Sequence, residues 1–256
     1  MSPDLFASPD LFASPDPFAS PNPFAHHPEL RGKIEDPLQS YFRTFQPSAM
    51  DERMRALGYD VGWRYSDVER EARRRAFLGP SLAADLWVFA YGSLMWNPGF
   101  RFAEVRVAFA PGHARRFCLL DTFNWRGSKE LPGLMAGLDT GSGCQGLVYR
   151  IEADHVEGES EVVWRRECVA PAYIPRFIPV DTAQGPVEAL SFLANHDAPE
   201  IVANLSHAEQ VRLLATGKGD HGTSMDYLES IAAQFAVLGI DDPEVTRLLA
   251  DARAYR

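Results

Sequence analysis

Residues 85–100 read DLWVFAYGSLMWNPGF, and the fold is decided here. Leu86 to Tyr91 is a wholly apolar run of strand length. It leads directly into Gly92-Ser93, where glycine permits a sharp turn and close approach of the backbone to a ligand. Successive N–H groups at such a turn form an anion-binding concavity. Pro98-Gly99 then closes the segment. Downstream the same grammar repeats: VRVAF (105–109), RRFCLL (115–120), LMAGL (134–138), GLVYRI (146–151), YIPRFIPV (173–180) and VEALSFL (187–193) are short apolar runs. Pro111-Gly112, Pro132-Gly133 and Gly141 to Gly143 punctuate them. Each run reads as a strand.

Helical signals are sparse among these strands and concentrate after them. Val156 to Val169 carries a helical pattern. Ser206 with Glu209 forms a capping box before QVRLLA, and Thr223 with Asp226 repeats the device before YLESIAAQFAVL. Gly239 is a natural helix stop, and Asp242-Pro243 opens a last helix with proline at its first position. Many strands first and helices mostly late, with little βαβ alternation, argue against a doubly wound parallel sheet. The expected class is α+β: a small mixed β-barrel with flanking helices.

Upstream of residue 85 the composition changes twice. The N-terminus repeats a six-residue unit, SPDLFA at Ser2 and Ser8, SPDPFA at Ser14 and SPNPFA at Ser20. Units this short do not build a solenoid, and proline in every copy blocks helix and sheet ladders. Residues 1–49 are expected to be a disordered tail, dispensable for catalysis; the competing reading makes Phe6, Phe12, Phe18 and Phe24 evenly spaced anchors for a partner. Residues 50–84 form a charged helical lead-in, ERMRAL and VEREARRRAF, with acids ahead of bases at helical spacing. Arg73 to Arg75 read as a solvated helix face. Residues 85–256 are the expected catalytic domain.

Composition removes several classes of function. The formal charge is −10, which argues against nonspecific nucleic-acid binding. No stretch has the apolar length of a membrane span, and MSPDLFASPD lacks the basic start and apolar core of a secretory signal. The three cysteines, Cys118, Cys144 and Cys168, have no CxxC spacing and read as reduced thiols in the cytoplasm. The histidines make no HExxH; His26 and His27 read as solvated, and no metal is expected. Gly217-Lys-Gly-Asp-His-Gly222 satisfies GxGxxG but follows a helix instead of a strand, so it reads as a turn between helices and not a dinucleotide site.

The loop Tyr91-Gly-Ser-Leu94 with Trp96-Asn-Pro-Gly-Phe100 resembles the signature loop of the ChaC branch of γ-glutamylcyclotransferases. The likeness continues in register through Gly112 with Arg115 to Cys118, Arg126-Gly127, Pro132 to Met135 with Gly137 to Asp139, and Cys144 to Gly146 with Val148 to Arg150. Trp164-Arg-Arg-Glu167, Ala172 to Arg176 and Gly219 to Leu228 complete it. It spans nearly all of the chain from Leu86 and none before about Ala84. Two departures stand out: Ala90 where the family usually has glycine, and an unusually acidic segment before Glu167.

The resemblance implies a barrel fold and release of 5-oxoproline and cysteinylglycine from glutathione, with no cofactor or metal. It implies that Phe89, Ala90, Tyr91, Gly92, Ser93 and Leu94 cradle the glutamyl group, and that Glu167 is the general base. Tyr173 and Tyr227 are further candidates for substrate contacts. Nearby arginines weaken a base, so Arg165 and Arg166 are expected to point away from Glu167. Read without the resemblance, Glu167 is a surface acid paired to one of them. The rival functions are a cyclotransferase for other γ-glutamyl-amino acids or amines, and a non-catalytic protein recruiting partners through its N-terminal phenylalanines. Leu94 and Trp96 favour glutathione over the first, because broader relatives carry Asn after the serine.

Overall fold

Strand β1 (Leu86–Ala90) is where the barrel closes. The computed structural model, which describes residues 22–255, pairs β1 antiparallel with β5 (Cys144–Ile151) and parallel with β7 (Val187–Ala194). Strands β2 (Glu104–Ala110) and β6 (Tyr173–Thr182) complete the ring, in the order β1-β5-β2-β6-β7 and back to β1. The hairpin of β3 (His113–Asp121) and β4 (Gly133–Thr140) extends the sheet from β7, through a parallel pairing of Leu138 with Leu193. The period-two alternation of β1 explains its place: Val88 and Ala90 face the main core, whereas Phe89 faces the other way. Phe89, Ala108, Val148, Ile178, Val180 and Ala189 form a cluster with no helix residue, which fills the barrel.

The outer face of the ring is covered by helices. Helix α4 (Ala153–Glu167) enters between β5 and β6, and α5 (His207–Thr216), α6 (Ser224–Leu238) and α7 (Pro243–Ala254) pack together at the end. Both expected capping boxes are formed, and Gly239 sits in the left-handed conformation that stops α6. The GxGxxG segment becomes a two-rung hairpin, β8 (Lys218–Gly219) with β9 (Gly222–Thr223), between α5 and α6.

The region before residue 85 departs from expectation. Residues 1–21 lie outside the described residues, and with them Phe6, Phe12 and Phe18. From residue 22 the chain is folded against the domain, through short helices α1 (Tyr41–Thr44) and α2 (Asp51–Ala56) and the longer α3 (Asp67–Leu78). Leu30 and Met54 are fully buried and Ile34 and Phe45 nearly so. Phe24 meets Phe102 edge to face at 5.8 Å, and His27 Nε2 accepts the Val107 N–H at 3.1 Å. Proline at the start of the turns Pro28–Leu30 and Pro47–Met50 fits the 3₁₀ geometry found there. The disordered tail expected to residue 49 is therefore corrected from residue 22 onward: the apolar side chains between the prolines are buried against the domain. A second correction concerns Arg74, read as solvated and found 1% exposed. Glu71, Glu157 and the Ser160 hydroxyl hold it at 2.7–2.9 Å, joining α3 to α4.

Candidate active site

Where β1 ends, the chain cannot continue as a strand, because Gly92 opens a 3₁₀ turn over Ser93–Met95. The Met95 N–H closes that turn on the Gly92 carbonyl at 2.9 Å. The N–H groups of Ser93 and Leu94 precede the closure and have no acceptor within the turn. The loop is held from below by Tyr149, whose hydroxyl donates to the carbonyls of Leu94 and Met95 at 3.0 Å each. Buried Arg115 donates through Nε to the Tyr91 carbonyl at 2.6 Å, through Nη2 to Gln145 O at 2.7 Å, and pairs with Asp242 at 2.7 Å. A Cβ added at Gly92 would lie 2.7 Å from the Tyr227 hydroxyl oxygen. Glycine is therefore needed for α6 to bring that phenol against the loop.

Glu167 ends α4, and its side chain is 13% exposed. Its Oε1 lies 3.0 Å from Arg166 Nε. The same guanidinium donates through Nη2 to Ser93 Oγ at 2.7 Å and through Nη1 to the Asn97 carbonyl. One arginine thus joins the acid of α4 to the loop after β1. Arg165 turns away, to Glu161 and to the Arg43 carbonyl. The expectation that both guanidiniums point elsewhere holds for Arg165 and fails for Arg166. Adjacent helical residues normally diverge, but here the chain leaves the helix at Cys168 and two loop acceptors recruit Arg166.

Three phenols complete the cluster. The Tyr91 hydroxyl donates to the Phe192 carbonyl at 2.8 Å and lies within hydrogen-bond reach of Tyr173. The Tyr173 hydroxyl donates to the Ala136 carbonyl at 3.1 Å, and the backbone of Ala136 lies close enough to Tyr227 to act on its hydroxyl. Trp96 stands over Tyr227, ring centres 5.7 Å apart. Burial pushes Glu167 above the ordinary carboxylate range, against the opposing pull of Arg166. Burial likewise depresses Arg166 and raises Tyr91, Tyr173 and Tyr227, the last to about 12. The direction for Glu167 follows from desolvation of its charged form, which a single flanking cation does not fully compensate. Cys168 is held well above its usual range by burial and by Glu167, so it stays a neutral thiol.

The structure therefore brings together Tyr91, Gly92, Ser93, Glu167, Tyr173 and Tyr227. Phe89 and Ala90 are fully buried below the loop, in the barrel and the main core respectively; their side chains brace it. Leu94 is 5% exposed and packs in the main core. Ala90 points into that core, so its extra methyl does not crowd the turn. Sequence reasoning missed Arg166 and Arg115. The signal for each was its place in a block that carries the resemblance, Trp164 to Glu167 for Arg166 and Arg115 to Cys118 for Arg115.

Comparison with known proteins shows the fold and the family. A crystal structure of a yeast γ-glutamyl cyclotransferase specific to glutathione superposes with a TM-score of 0.63 at 21% identity, over 68% of this chain and 97% of that one; the fold is thus that of a γ-glutamylcyclotransferase. The ChaC-like protein family model matches residues 86–255, and the chain belongs to that family. The glutathione-specific gamma-glutamylcyclotransferase of Escherichia coli K12 is 33% identical over 183 residues, covering 69% of this chain and 79% of the relative. The human glutathione-specific gamma-glutamylcyclotransferase 1 is 32% identical over 152 residues, covering 57% and 68%.

Proposed function

We propose that this chain is a glutathione-specific γ-glutamylcyclotransferase, a carbon–nitrogen lyase that converts glutathione into 5-oxoproline and cysteinylglycine. The observation that carries the reading is the desolvated Glu167 carboxylate, joined to the Ser93 loop through Arg166 inside a ring of three phenols. Family membership and the names of the relatives support glutathione as the substrate.

The α-amine of the glutamyl group is an ammonium near neutral pH and cannot attack. Glu167 takes one of its protons, and burial makes it a stronger base than an exposed carboxylate. The freed amine attacks the γ-carbonyl carbon, forming the ring C–N bond. Charge then develops on the carbonyl oxygen, where the N–H groups of the turn at Gly92 to Leu94 supply donors. The bond from that carbon to the cysteinyl nitrogen breaks as Glu167 passes the first proton to that nitrogen. The attacking nitrogen sheds its second proton, which ends on the released amine, leaving a lactam N–H and the ammonium of cysteinylglycine. Water is not consumed, and no oxidation occurs, so the chemistry calls for no cofactor. The nucleophile is tethered to its target, and holding the glutamyl arm folded supplies much of the rate. Tyr91, Tyr173 and Tyr227 remain neutral hydroxyls at physiological pH. Tyr91 and Tyr173, whose protons go to the Phe192 and Ala136 carbonyls, accept from the substrate amine, and Tyr227 is the phenol left to donate to the α-carboxylate. Phe89 and Ala90 act by bracing the loop.

Among the described residues no helix is long and apolar enough to cross a membrane. The net charge favours a small-molecule substrate over nucleic acid. Cys118, Cys144 and Cys168 are buried and unpaired, which supports a reducing compartment and a cytoplasmic location. The proposal of recruitment through N-terminal phenylalanines loses one anchor, since Phe24 is engaged by Phe102. The deciding experiment incubates the pure protein with glutathione and, separately, with γ-glutamylalanine. 5-Oxoproline from glutathione alone supports the proposal; equal release from both favours the broader cyclotransferase, and release from neither refutes the reading.

A further inference from the structure

The loop after β1 is also held from a side that the family-matched span does not contain. The Glu35 N–H donates to the Trp96 carbonyl at 2.7 Å, and Glu35 Oε2 accepts from Asn97 Nδ2 at 2.6 Å. Ser40 Oγ donates to Asn97 Oδ1 at 2.7 Å and caps α1 by accepting the Phe42 N–H at 3.2 Å. Three further bonds tie α1 to α4: Arg43 donates to Glu159 through Nη1 and, at 3.0 Å, through Nη2, and the Arg43 carbonyl accepts from Arg165 at 3.0 Å. These bonds set the position of Phe42. Its ring lies 3.9 Å from the Arg166 guanidinium carbon. Gly99, at φ +72°, makes room for it, since an added Cβ would sit 3.0 Å from Phe42 Cβ. On its other flank Phe42 meets Trp125 edge to face at 5.7 Å.

A guanidinium is planar, and Arg166 spends its edge on three partners: Glu167, Ser93 and the Asn97 carbonyl. An aromatic face over the cation attracts it without offering a competing acceptor, and excludes water that would screen its bonds. We propose that Phe42 is a positioning residue for the reaction. Its ring holds Arg166 in the plane from which one guanidinium reaches both Ser93 and Glu167, which makes the segment 22–50 part of the catalytic unit. This rests on the reading of Glu167 as the base. The two are separable, because an active Glu167→Gln protein defeats that reading whatever Phe42 does.

The test measures kcat, KM and the pH profile of kcat for glutathione in the full chain. Phe42→Leu keeps an apolar side chain but removes the aromatic face, and Phe42→Tyr keeps the face. Loss of a cation–π contact predicts a fall in kcat of about 3- to 30-fold for Phe42→Leu, with KM changed less than kcat. The acid limb should also move to higher pH. Arg166 pulls the Glu167 carboxyl down, and a guanidinium that drifts pulls less. The other groups facing this pair are Tyr91 after β1, Tyr173 on β6, Tyr227 on α6, Cys168 beside Glu167 and Glu35 near Arg166, with Arg70 and Arg73 of α3 behind Cys168. None of these is altered, and the phenols and the thiol titrate far above the acid limb. Phe42→Tyr should restore both rate and profile. Phe42→Leu with wild-type kcat and acid limb, or equal impairment of Leu and Tyr variants, would overturn the proposal. If Phe42→Leu does not fold, Phe42→Met takes its place. A double-mutant cycle gives a second reading: with Arg166→Lys, Phe42→Leu should cost little more, and additive losses would count against coupling.

Discussion

Glu167→Gln removes the basic carboxylate and keeps an amide oxygen in reach of Arg166 Nε, 3.0 Å from the present carboxylate oxygen. The clamp from Arg166 to Ser93 and Asn97 is thereby preserved. If Glu167 takes the ammonium proton, turnover should fall by roughly 10²- to 10⁴-fold, about 3–5 kcal/mol of barrier. Stability must be followed, because the variant leaves the buried Arg166 cation without its partner charge. A loss of about 3 kcal/mol, the lower figure for breaking a buried pair, would lower Tm by roughly 6–12 °C in a chain of this size. That leaves the protein folded at 25 °C. The assay is chromatographic quantification of 5-oxoproline and cysteinylglycine, beside a melting curve. Glu161→Gln is the control: Glu161 sits on the same helix, paired with Arg165 at 3.2 Å but half exposed, and its loss should cost under about 1 kcal/mol and leave turnover intact. Wild-type kcat should rise with pH through the Glu167 titration, on a limb above the ordinary glutamate range, since burial raises that group. The same shift has a stability consequence. The folded state holds the Glu167 proton more tightly than the unfolded chain, so this group's contribution to stability falls as pH rises through that window. A folded Glu167→Gln protein turning over glutathione near the wild-type rate refutes the assignment of the base.

Glutathione acetylated on its α-amine should yield no cysteinylglycine, since the nucleophile is blocked; release from it would mean that water or an enzyme group attacks. Gly92→Ala should destabilise by roughly 1–3 kcal/mol through overpacking against the Tyr227 hydroxyl. Combining it with Tyr227→Phe should recover stability, while additive losses would show that the clash is relieved elsewhere. Removing residues 1–21 should leave kcat/KM within about twofold. Removing residues 1–49 should lower both Tm and kcat, because it strips Leu30, Ile34 and Phe45 from their contacts and Phe42 from Arg166; an unchanged Tm and rate for the shorter chain would dissociate that segment from the catalytic unit.

The sequence by itself determined the strands, the capped helices and the barrel class. Each of those depends on local rules: alternation along β1, Ser206 with Glu209 and Thr223 with Asp226 closing helix starts, Gly239 stopping α6. The turn at Gly92-Ser93 was legible for the same reason. Glu167 could be singled out only by resemblance, because nothing local distinguishes a catalytic glutamate from a surface acid beside two arginines. Tertiary structure alone decided which arginine stays with it. Arg165 and Arg166 are equivalent as letters, yet only Arg166 meets Ser93 and Asn97, which lie about 70 positions earlier and arrive when the barrel closes. It also decided where the domain begins. The prolines of the N-terminal segment said nothing of burial, and burial of Leu30 and Ile34 depends on a core, shared with β1, α4 and α6, that exists only once those elements have assembled. Hydrogen bonds within a turn are set by neighbours in sequence; the desolvation that tunes Glu167 and the face that covers Arg166 are set by neighbours in space.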